Sequence, residues 1–89
     1  MRRYVVSDDA ACAVVDGGAV VLNMRTKRYY SLNETGAVIW RLLEDDVAVS
    51  DIVARLVQQF EVEQATADQA VTNLLADLTS EDLVAVRSA

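Results

Sequence analysis

At 89 residues, 53% of them apolar and 25% charged, the chain has room for one domain with one modest core, expected over residues 1–89. It is too apolar for disorder, and its apolar residues are too dispersed for a membrane span. The absence of histidine and a single cysteine exclude an intramolecular disulfide and argue against a transition-metal site; neither metal nor cofactor is expected.

The N-terminal MRRYVVSDD lacks the apolar stretch of a secretory signal. A cytoplasmic, reduced protein is expected, with Cys12 as a small buried apolar residue. The net charge of −6 is unevenly spread. Residues 1–43 carry six basic and four acidic side chains, residues 44–89 two basic and ten acidic. An acidic C-terminal half is repelled by phosphate backbones.

In chain order, RYVV (3–6) has the character of a short strand. CAVVDGGAVVLNM (12–24) predicts a hairpin: Cys12–Val15 and Ala19–Met24 flank Asp16-Gly17-Gly18, whose glycines supply the positive φ of a tight turn. Val20, Leu22 and Met24 share one face. RTK is a second turn, and RYYSL (28–32) predicts a third strand with Tyr30 and Leu32 on one face, completing a small antiparallel sheet with one covered face. Asn33 is a good N-cap for a helix over 34–44, in which Gly36, Ile39, Trp40 and Leu43 recur at helical spacing. Ser50 predicts the cap of a second helix, with Ile52, Val53, Leu56, Val57 and Phe60 on one face. Thr66 and Gln69 fit a capping box for a third, whose stripe is Val71, Leu74, Leu75 and Leu78. LVAV (83–86) predicts a last short strand. The fold class is α+β, a winged helix-turn-helix: a three-stranded antiparallel sheet followed by three helices.

The chain holds little chemistry. The EDD and SDD runs are charge clusters at element ends. Ser31 and Ser50 have no histidine to activate them. Cys12 has neither a histidine nor a clear helix N-terminus to lower its pKa. DGG is too short for a phosphate loop. Catalysis is not expected. DNA binding is suggested by the element order, with thin support from Arg25, Lys27 and Arg28 at the hairpin tip, but the third helix offers base edges no cation. A peptide fits better. The third strand is a sheet edge with no proline and one charge, Arg28, so an extended peptide could add to it through main-chain bonds.

The stretch from Asp16 to Val84 resembles the PqqD-like family, above all in LN-x-TGA-x-IW (32–40) after a tyrosine-bearing strand, then I-V-x-x-L-x-x-x-F-x-V and V-x-x-L-L-x-x-L. The resemblance implies a winged helix-turn-helix module of the kind called a RiPP recognition element. Such a module binds the leader of a ribosomally made precursor peptide and presents it to tailoring enzymes. A small acidic domain of this length resembles the leader-binding partner of lasso peptide biosynthesis, serving a leader peptidase and a macrocyclase. The alternatives are a peptide chaperone in pyrroloquinoline quinone or another radical-enzyme pathway and, further off, a DNA-binding winged helix. The family's leader adds to the third strand and lies between that strand and the third helix.

By position, the strand residues implied are Arg28, Tyr29, Tyr30, Ser31 and Leu32. The family often carries an acid just before the Val of the third helix; this chain has Ala70 there, and the nearest acid upstream is Asp68. On a helical wheel two flanks of the stripe are open, Asp68, Thr72 and Thr79 beside Leu75, or Ala70 and Asp77 beside Leu74. The first is taken as the groove wall, which gives Asp68, Val71, Thr72 and Leu75 as the helical part of the site. No nucleic-acid or membrane partner is expected.

Overall fold

The computed structural model describes residues 3–87. The elements run β1 (Arg3–Val6), β2 (Ala10–Val15), β3 (Gly18–Asn23), β4 (Arg28–Asn33), α1 (Glu34–Glu44), α2 (Val49–Phe60), α3 (Gln64–Ser80) and β5 (Val84–Arg87). Strands β2, β3 and β4 form one antiparallel sheet in that order, and β1 pairs with β5 in a second, two-stranded one. The α+β class and the order of strands then helices are as the sequence predicts. Both short terminal strands form, each covering the other's edge.

Side-chain parity decides which residues make the core. On β3 the buried face is Ala19, Val21 and Asn23, while Leu22 is exposed and Val20 only half-buried. The triplet that the sequence singles out, Val20, Leu22 and Met24, therefore lies on the outer face. On β4 the buried residue is Leu32, with Tyr30 half-buried on the same side. Ile39, Trp40 and Leu43 of α1 lie in the core with this inner face, and Ile52 and Leu56 of α2 and Val71, Leu75 and Leu78 of α3 complete the same cluster.

Helix α1 begins where expected: Asn33 Oδ1 accepts from the Gly36 N–H at 2.8 Å. The other two starts differ. Helix α2 begins one residue before Ser50, with Ala48 at the cap and no side-chain cap bond. Ala48 is buried in the core, so packing sets the start there. Helix α3 begins at Gln64, with Glu63 at the cap and no side-chain cap bond, so the Thr66–Gln69 capping box is not used. The chain leaves α2 through Glu61 at φ 52, a left-handed residue that ends that helix and starts α3 two residues before Thr66.

One buried polar side chain ties the sheet to α3. Asn23 is 1% exposed. Its Oδ1 accepts from the Arg25 and Thr26 N–H groups at 3.0 and 3.2 Å, closing the β3–β4 turn. Its Nδ2 donates to the carbonyls of Glu81 and Asp82 at 3.1 and 3.4 Å, just past the end of α3. All four bonds that an amide side chain makes readily are in place, as burial requires. The last turn of α3 is thereby fixed beside the start of β4.

Cys12 is exposed, not buried. It lies on the inner face of β2, but α1 packs over β3 and β4 and leaves β2 uncovered.

Candidate functional site: a sheet edge facing a helical wall

Strand β4 is an edge strand, paired to β3 on one side only. Which of its main-chain groups are free follows from the register. Met24 donates to the Asp9 carbonyl at 2.9 Å, so the groups of Met24 point toward β2. Counting in twos, Leu22, Val20 and Gly18 also bond β2, and Asn23, Val21 and Ala19 bond β4. Their partners on β4 are Arg28, Tyr30 and Leu32. The N–H and C=O of Tyr29 and Ser31 consequently point away from the sheet.

The cleft beside this edge has a volume of about 350 Å³. Tyr30, Leu32, Thr35, Gly36 and Ile39 line one side, and Ala70, Asn73, Leu74 and Asp77 of α3 the other. The helical wall is therefore the Ala70–Asp77 flank, the reverse of the expected one. Asp68 and Thr72 are exposed and do not line the cleft. Val71 and Leu75 are core residues, 0% and 3% exposed, and do not reach it. The direction in which α3 crosses the sheet makes the difference. With its C-terminal end held by Asn23, α3 turns Ala70, Leu74 and Asp77 toward β4.

A polar clasp closes one end of the cleft. The Tyr30 hydroxyl donates to Asp77 Oδ2 at 2.9 Å. One turn further, at the C-cap of α3, Glu81 takes Arg28 through Nε at 3.1 Å and Nη2 at 3.2 Å, a two-pronged pair. Burial, the hydrogen bond to Asp77 and the charges of Asp77 and Glu81 together push the Tyr30 phenol above its usual range. Tyr29, on the opposite face, is 67% exposed. Strand position alone places the five β4 residues at the site; of these, Tyr30, Ser31 and Leu32 line the cleft, Tyr29 borders the free edge from outside and Arg28 joins the clasp. Sequence reasoning missed Thr35, Gly36, Ile39, Asn73 and Leu74, although the other flank of the helical wheel carried a signal for the last.

Of the hairpin-tip cations Arg25, Lys27 and Arg28, two are engaged within the fold. Arg25 pairs with Asp82 at 3.2 Å and lies 3.7 Å from Asp9, and Arg28 is held by Glu81. Among the described residues no helix is long and apolar enough to cross a membrane.

An edge strand with free main-chain groups, facing a helical wall across a narrow cleft, has the form of a module that accepts an extended chain. Residues 18–84 match the family model described as coenzyme PQQ synthesis protein D, and the chain belongs to this PqqD family. The structure is similar to one described as TbiB1 in complex with the TbiA(beta) leader peptide, with a TM-score of 0.86 and 26% identity, covering 96% of this chain and 99% of that one. It is likewise similar to a lasso peptide synthetase B1 complexed with the leader peptide, with a TM-score of 0.83 and 27% identity, covering 92% and 96%. Among curated proteins none matches the sequence significantly.

Proposed function

We propose that this protein binds the leader region of a ribosomally synthesised precursor peptide and presents it to the leader peptidase and macrocyclase of a lasso peptide pathway. It acts in the cytoplasm and carries out no catalytic step itself. The observation that carries this reading is the free edge of β4 opening into the cleft against α3, in a chain similar over nearly its whole length to two proteins solved with a leader peptide bound. The leader adds as a strand beside β4, bonding the main-chain groups of Tyr29 and Ser31. Side chains on one side of it enter the cleft, whose Leu32, Ile39, Ala70 and Leu74 favour apolar groups.

That one of the two similar structures is a lasso peptide synthetase B1, and that both hold a leader peptide, favours this pathway over the pyrroloquinoline quinone synthesis for which the family is described. The reading is tested by titrating the precursor's leader peptide with single amides N-methylated in turn. Loss of a main-chain bond costs about 1 kcal/mol, so methylation should weaken binding at alternate positions and spare those between. An even response along the peptide contradicts strand addition.

A further inference from the structure

The opposite edge of the same sheet has a gap in its cover. Cys12 and Val14 of β2 stand directly across from Val21 and Ala19 of β3, on the inner face of the sheet. Val21 and Ala19 are 0% and 2% exposed, yet Val14 is 88% exposed. Helix α1 covers β3 and β4 and stops short of β2. A helix is about 10 Å across and strands lie about 4.8 Å apart, so one helix covers roughly two strands and the third overhangs.

The result is a groove of about 660 Å³. Its apolar surface comes from Cys12 and Val14 of β2, Ala37 and Val38 of α1, and the buried Trp40. Its charged rim holds Asp16, Glu34 and Glu44 against Arg41 alone. Sheet below and helix beside make this the seat of a second helix lying alongside α1. The acidic rim favours a cationic occupant and opposes a second copy of this acidic chain.

We propose that the groove between α1 and the overhanging β2 docks an amphipathic helix of a partner protein, with small or apolar residues at helical spacing and lysine or arginine along its flank. The site lies on the far side of the sheet from β4, so a docked partner and a peptide at β4 do not compete. It does not depend on what β4 binds.

Two residues inside the groove are built-in reporters, because the chain has one tryptophan and one cysteine. The probe is a synthetic peptide of about 20 residues, long enough to form helix in water, with leucine and alanine on one face and lysine on the other. A scrambled peptide of the same composition controls for charge alone. The helical peptide should slow alkylation of Cys12 and shift Trp40 emission, and the scrambled one should do neither. Val14→Ser should weaken the helical peptide about tenfold, the worth of one buried valine. It should leave circular dichroism and binding at β4 unchanged, since Val14 is 88% exposed and no part of the core. Failure of the helical peptide to protect Cys12, equal protection by the scrambled peptide, or indifference to Val14→Ser overturns the proposal. So does protection that grows with protein concentration alone, which would assign the groove to a second copy.

Discussion

Single side chains set the polar frame of the cleft. Asn23 holds it from below: its four bonds tie the β3–β4 turn to the end of α3. Asn23→Ala leaves two main-chain donors and two carbonyls short of a partner in a buried place, which should cost about 2–3 kcal/mol in chemical denaturation. A cost under about 0.5 kcal/mol would mean that water or the backbone replaces the amide. Asp77 guards the rim. With the helical wall on its flank, Asp77→Lys should weaken leader binding roughly tenfold, by removing the Tyr30 bond and reversing the charge at the cleft mouth. Asp68→Lys, on the far flank, should do little. The opposite ranking by calorimetric titration would return the groove to the Asp68 side.

Tyr30 also gives the fold a pH signature. Burial first, then Asp77 and Glu81, disfavour its phenolate, so its folded pKa lies above the ordinary 10.0. The contribution is fully present below that ordinary value and is lost as pH climbs through the raised one. Tyr30→Phe should therefore flatten the loss of stability above pH 10. Difference absorbance of phenolate between the two proteins should put the Tyr30 transition above the usual range; a transition at or below it contradicts the clasp.

At the level of elements, the chain's punctuation is plain in places and silent in others. Asn33 before Glu34 marks a helix start, and Asp16-Gly17 marks a hairpin in which Gly17 alone takes the positive φ (81) while Gly18 already belongs to β3; both are local signals that act within four residues. Such local signals are readable in sequence. The starts of α2 and α3 are not set by caps at all, which is why Ser50 and the Thr66–Gln69 pair mislead. The facing of β3 was hidden for a different reason. Val20-Val21-Leu22 is apolar at every position, so alternation carries no parity, and only the packing of α1 onto Ala19 and Val21 decides it. The same limit applies to α3: its stripe is legible, but which flank meets β4 depends on the direction that Asn23 and the β5 return impose.

Gly18 ties the hairpin to the site. A Cβ there would lie 1.9 Å from the Leu32 carbonyl oxygen, in the backbone of β4. Gly18→Ala should push β4 away from β3 at Leu32 and Asn33, lower stability by about 1–3 kcal/mol and weaken the peptide with it. Unchanged melting would show that the strand end yields freely.

Over the whole molecule, charge and topology divide the surfaces between partners. Ten acidic side chains against two basic ones in residues 44–89 turn α2 and α3 away from nucleic acid, and the N-terminal cations Arg25 and Arg28 are spent on internal pairs. Duplex DNA should accordingly show no sequence-specific complex tighter than about micromolar near physiological salt, roughly −8 kcal/mol. A three-stranded sheet has two edges, and here they differ: β4 opens beside α3, β2 beyond α1. On the two proposals above, a peptide at β4 and a partner helix at β2 occupy separate edges.

The central claim, strand addition at β4, is tested most directly by amide hydrogen exchange of the protein with and without its precursor's leader peptide. The free edge predicts that the Tyr29 and Ser31 amides, open in the protein alone, become protected in the complex, while Tyr30 and Leu32, already bonded to β3, change little. Protection that leaves Tyr29 and Ser31 untouched and falls instead along the outer faces of α2 and α3 would contradict it.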